Sequence, residues 1–126
     1  MTYTSQYGYS RLPPVPEIEL VVGNPGGSPR PEILSVMVDS GADRTVLPLK
    51  VIKSMDLPFW DEGEVRDFSG NARKVSFYTA KITIPTLEEH LIKIIALEGV
   101  HPLVGRDILN FYKVTLDGRQ KKIEIE

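Results

Sequence analysis

Cysteine is absent from the 126 residues, so no disulfide framework staples the chain and no thiol is available as a nucleophile. That absence suits a reducing compartment, and a cytoplasmic location is expected. Long apolar runs are missing as well. No stretch approaches membrane-spanning length, and the polar segment Met1–Arg11, with its Tyr and Ser residues, lacks the apolar centre of a signal peptide, so no membrane partner is expected. A basic excess is also lacking. With a net charge of -2 and a pI near 5.7, the chain offers no field for nucleic-acid phosphates. Histidine occurs only at His90 and His101, with no acidic cluster at ligand spacing beside either, so no metal ion or other cofactor is expected. No internal repeat or low-complexity tract is present.

What the chain does have is 41% hydrophobic residues in a length suited to one domain and one modest core. The proline cluster Leu12-Pro13-Pro14-Val15-Pro16 blocks helix and favours extended backbone. It divides an N-terminal extended tail, residues 1–16, from a domain over residues 17–126. Strand patterns dominate that domain. Glu17–Val22 alternates before a turn-rich connection, Gly23–Pro29, and Ile33–Val38 is a short apolar run that predicts a strand buried on both faces. Pro48 can open a short helix reaching about Met55. Glu64–Phe68 and Lys74–Ile84 flank the polar tip Ser69-Gly70-Asn71 and predict a long hairpin. His90–Leu97 and Leu103-Val104 are further strands, and a brief helix is predicted over Arg106–Phe111. Asp117-Gly118 then separates Lys113–Leu116 from the alternating Lys121–Glu126, a strong hairpin signal. Many short strands and little helix predict an all-β domain, closed or strongly bent.

Chemistry concentrates where the apolar run Val36-Met37-Val38 ends in Asp39, followed by Ser40-Gly41-Ala42. A carboxylate there sits at the floor of whatever lies above the strand. Small neighbours let backbone amides approach it and offset the desolvation of its charged form. Asp-Ser-Gly alone could equally open an ordinary turn, so its surroundings must decide.

Those surroundings resemble the retropepsins, the single-domain aspartic proteases of retroviruses and their cellular relatives. Val36–Leu47 is similar to the family's active-site segment, with Thr45-Val46-Leu47 after the aspartate. Leu103-Val104-Gly105-Arg106-Asp107-Ile108-Leu109 resembles its second signature, and Phe68-Ser69-Gly70-Asn71 stands where the family carries its flap. The likeness runs from about Glu17 to Glu126. It implies a retropepsin-like closed barrel or bent sheet with a short C-terminal helix and a flap hairpin.

One Asp-Ser-Gly supplies one carboxylate, whereas activating water between carboxylates takes two sharing a proton, so the resemblance implies a homodimer with Asp39 contributed by each subunit. The expected activity is aspartic endopeptidase, acting on an extended peptide or protein. The alternative is a catalytically silent dimer of this fold that binds peptides or serves in assembly. Asp39, Ser40 and Gly41 are the expected catalytic segment, with the Ser40 hydroxyl reaching across the dimer axis or else exposed on a turn. Ala42 lacks a hydroxyl that would stabilise an ionised carboxylate, which implies activity nearer neutrality. Asp43 and Arg106 match an ion pair near the substrate's ends, or are solvated surface charges. Thr45 and Gly105 are expected to be structural. Ala42, Val46, Val100 and Leu103 fall near the expected cleft walls or in plain core. His101 falls on a specificity pocket or an exposed turn. Glu64–Val75, including Phe68, Ser69, Gly70 and Asn71, would close over substrate, with Trp60 packed beside the hinge. Lys121–Glu126 either joins an intersubunit sheet or closes the monomer.

Overall fold

The computed structural model describes residues 1–67 and 69–126. Its elements, in chain order, are β1 (Tyr3–Gln6), β2 (Glu17–Gly23), β3 (Glu32–Val38), β4 (Val46–Pro48), α1 (Leu49–Ser54), β5 (Phe59–Arg66), β6 (Ala72–Thr83), β7 (Glu89–Leu97), β8 (Leu103–Val104), α2 (Arg106–Leu109), β9 (Val114–Asp117) and β10 (Lys122–Ile125). None of the described helices is long and apolar enough to cross a membrane.

Alternation builds the barrel. Along β2, Ile18, Leu20 and Val22 turn inward, and they meet Val36 and Val38 of β3 and Ala80 and Ile82 of β6. Each fully buried branched side chain of this kind contributes about 1.5–3 kcal/mol relative to exposure. The seven-stranded sheet runs β2-β3-β8-β4-β7-β6-β5, and a further β2–β6 pairing closes it. Strand β6 serves two clusters in turn. Its Val75 and Phe77 join Ile95 in a small cluster beside the hairpin, and farther along Ala80 and Ile82 enter the main core on the opposite face. Helices α1 and α2 cap the core with Val51, Ile52, Ile108 and Leu109. Beyond α2, the Tyr112 hydroxyl lies 2.7 Å from His90 Nε2. Burial, and then the Glu88 carboxylate, push that hydroxyl's pKa above the ordinary tyrosine value.

Several expectations need correction. Regular structure begins before the proline cluster, because β1 pairs antiparallel with β10 and buries Tyr3, whose hydroxyl accepts the Glu19 amide at 2.9 Å. Strand β10 lies between β1 and β9, so both of its hydrogen-bonding edges are filled within one chain and it closes the monomer. Strand β3 buries one face, through Val36 and Val38, while on the other Met37 is half-buried and Ile33 is 63% exposed. Pro48 is the N-cap of α1 and ends β4, and α2 stops at Leu109 rather than Phe111. The Asp117-Gly118 turn spans residues 118–121, because Asp117 pairs with Lys122 and its side chain accepts the amides of Arg119 and Gln120. Trp60 is a strand residue of β5, 58% exposed, and does not pack as a hinge.

Candidate active site

The active-site segment straddles β8. Strand β3 pairs parallel with β8, and after the loop of residues 39–45 the chain returns as β4 on the other side of β8, Val46 opposite Leu103. Two backbone bonds fix where the loop begins. Val38 N–H donates to Pro16 O at 2.9 Å and Asp39 N–H to Val104 O at 3.0 Å. Asp39 is half-buried, and its Oδ1 accepts the Gly41 amide at 2.9 Å. The donor reaches the carboxylate because the residues after Asp39 are small, as the sequence suggests. The Ala42 amide closes the turn onto Asp39 O at 3.2 Å. Ser40 is exposed, and its hydroxyl bonds to none of the described residues.

The second signature locks this loop. Gly105 is buried against it, and a Cβ there would stand 2.7 Å from the Arg44 carbonyl carbon and 2.9 Å from Ala42 O, so only glycine permits the approach. The Gly105 amide donates to Thr45 Oγ1 at 3.2 Å, and that hydroxyl donates to Asp107 Oδ1 at 2.8 Å. Asp107 Oδ2 accepts the Thr45 amide at 2.9 Å. Asp107 was not singled out from the sequence as a site residue, although it sits inside the second signature. The Arg106 guanidinium forks between Ser40 O, at 2.8 Å, and the Asp43 carboxylate. The Asp43–Arg106 pair therefore forms, but in the open, with the Asp43 side chain 83% exposed. Its worth is orientation of the loop more than stability, since exposed pairs contribute about 0–1 kcal/mol.

Above the loop lies a cleft of about 970 Å³, into which Gly41, Ala42, Asp43, Val46 and Arg106 all open. Its floor is the small apolar cluster, in which Val46, Val65 and Leu97 pack on Val75, Phe77 and Ile95. Gly63 brings β5 down onto Phe77, with a would-be Cβ only 2.6 Å from the ring. The β5–β6 hairpin continues to the pair Arg66–Ala72 and carries the expected flap tip. There Asp67 Oδ1 accepts the amides of Ser69 and Asn71 at 2.9 and 3.0 Å, and Gly70 takes a φ of 80°. Asn71 and Ser69 are exposed at this tip. Phe68, the remaining predicted tip residue, lies outside the described residues.

Not every predicted residue gathers at the cleft. Val100 and His101 line a second depression of about 870 Å³, together with Leu49 and Lys53. His101 Nδ1 lies 3.0 Å from Pro102 O, and its Nε2 lies 3.8 Å from the Glu17 carboxylate. Leu103 is half-buried between Met37 and Val46 in the sheet. Among the described residues, no group of acidic and histidine side chains is arranged to hold a metal ion.

Solved structures of aspartic proteases are similar to this chain. A retropepsin-like aspartic protease from Rickettsia conorii superposes with a TM-score of 0.67 at 17% identity, over 99% of this chain and 90% of that one. EIAV protease in complex with an inhibitor gives 0.57 at 17% identity, over 85% and 93%. No protein-family model and no curated protein matches the sequence. The chain has the retropepsin-like all-β fold, as its two signatures imply.

Proposed function

We propose that the chain is an aspartic endopeptidase, active as a homodimer in which two Asp39 side chains share one water. The observation that carries this reading is the setting of Asp39. It is half-buried at the end of β3, with one oxygen held by the Gly41 amide and the other bonded to none of the described residues. A single carboxylate so placed is half of a dyad. Brought face to face by a two-fold axis, one Asp39 takes a proton from water while the other, protonated, donates to the scissile carbonyl oxygen. The water oxygen bonds to the carbonyl carbon. Collapse of that intermediate then breaks the C–N bond, with the proton passing to the leaving amine.

The surroundings support the same chemistry. Ser40's exposed, unengaged hydroxyl is available to a partner subunit. The apolar floor suits an extended peptide with apolar side chains, and the hairpin stands where it can close over one and exclude water. Ala42 adds only a methyl group beside the loop, consistent with activity nearer neutrality.

The test is a mixed peptide library incubated with the protein, with an Asp39→Asn variant, and with a transition-state-mimicking inhibitor of aspartic peptidases. Cleavage lost in both of the latter, with a pH–rate profile that does not peak solely at strongly acid pH, is the expected result. No cleavage by a verified dimer sinks the reading in favour of a silent peptide-binding module.

A further inference from the structure

Of the acidic side chains that line the cleft, Asp43 and Asp107 are engaged within it, whereas the cation Arg44 is not. Asp43 is held by Arg106, and Asp107 by the hydroxyl and amide of Thr45. Glu64 also lines the cleft, but it makes no ion pair and no side-chain hydrogen bond with the described residues. The register sets Gly63 opposite Val75 and Glu64 opposite Lys74, so residues 63 and 65 share the face of Phe77 and Glu64 alternates with them along the strand. Lys93, also over Phe77 at 4.8 Å, has Asp61 at 3.4 Å to balance it. Arg44 makes no ion pair and no side-chain hydrogen bond with the described residues, and its guanidinium carbon lies 5.9 Å from the Phe77 ring centroid.

The peptide group that follows Arg44 is fixed at both its amide and its carbonyl. The next amide, that of Thr45, is tied to Asp107, and Gly105 packs directly on the Arg44 carbonyl. A guanidinium rooted in a rigid loop and resting on an aromatic face is pre-organised to receive a planar anion by two parallel hydrogen bonds. We infer that Arg44 makes this cleft selective for peptides bearing a Glu or Asp side chain next to the apolar residue that occupies the floor. A Lys or Arg at that place meets a like charge over an apolar surface and is disfavoured. This inference rests on the peptide-cleft reading above, and it concerns binding rather than hydrolysis.

The experiment therefore reads binding. Labelled peptides with the scissile amide replaced by an uncleavable hydroxyethylene, carrying Glu, Gln or Lys at successive positions on each side, are titrated against the full chain by fluorescence anisotropy. At one position the Glu peptide is expected to bind at least about five-fold tighter than the Lys peptide, the equivalent of ~1 kcal/mol. The gap narrows as salt is raised. Arg44→Glu reverses the order, and Arg44→Gln, which keeps a polar side chain without the charge, abolishes it. Equal affinities at every position, an order unchanged in the folded variants, or no binding of any peptide overturns the assignment. Asp39-dependent cleavage, scored in parallel, bears on the hydrolase reading alone.

Discussion

Thr45 joins the two signatures through a single hydroxyl, which takes the Gly105 amide and gives its own proton to Asp107, and the residue is fully buried. Thr45→Val keeps the shape and removes both bonds, leaving a buried amide and a carboxylate oxygen unmet. We expect a loss of about 1–3 kcal/mol in urea unfolding. Thr45→Ser keeps the hydroxyl and drops one methyl, so its cost is about 0.8 kcal/mol. A serine variant less stable than the valine variant would show that packing, not the bridge, matters at this position. At this scale the sequence was informative at Gly105, expected to be structural, and at Arg106, expected to pair with Asp43. The tie of Asp107 to Thr45 was not legible, because it depends on what lies opposite across the loop. Nothing in its immediate neighbours reports that.

Among the elements, the long alternating strands were readable, and so was the two-residue β8, Leu103–Val104, set off by Pro102 and Gly105. Strand β4 was not, because its three residues form a strand through their pairing with β7 on one side and β8 on the other. Strand β1 was hidden by its polar composition, Tyr3-Thr4-Ser5-Gln6, since its pairing with β10 uses the backbone and buries one side chain, Tyr3. The hairpin tip was predicted by its Gly and Asn, but the group that organises it is the Asp67 carboxylate. Asp67→Ala should leave global stability within about 0.5 kcal/mol, because the tip is exposed. It should raise KM for a cleaved peptide about three-fold, since substrate must then order the tip, at a cost of ~0.6 kcal/mol. An unchanged KM together with a lowered midpoint of unfolding would mean that the turn supports the barrel instead.

At the level of the molecule, the barrel closes and both edges of β10 are filled within one chain, whereas the proposed shared-water site needs two chains. Under that proposal, folding and activity are separate events with different orders in concentration. Serial dilution is expected to lower cleavage per chain, with the circular dichroism spectrum unchanged, and activity should return on reconcentration. Constant specific activity at dilutions where sedimentation finds only monomer would defeat the shared-site scheme. The chain's all-β class and its closure came through in its strand pattern, but the pairing of its ends did not, because alternation fixes which face is buried and not which neighbour a strand takes. The contact between Gly63 and the Phe77 ring has a mechanical side. It seats the strand on the ring, and from there to Asp67 the arm projects roughly 13 Å at ~3.3 Å per residue. A methyl group at residue 63 would collide with the ring and prise the arm off its bearing.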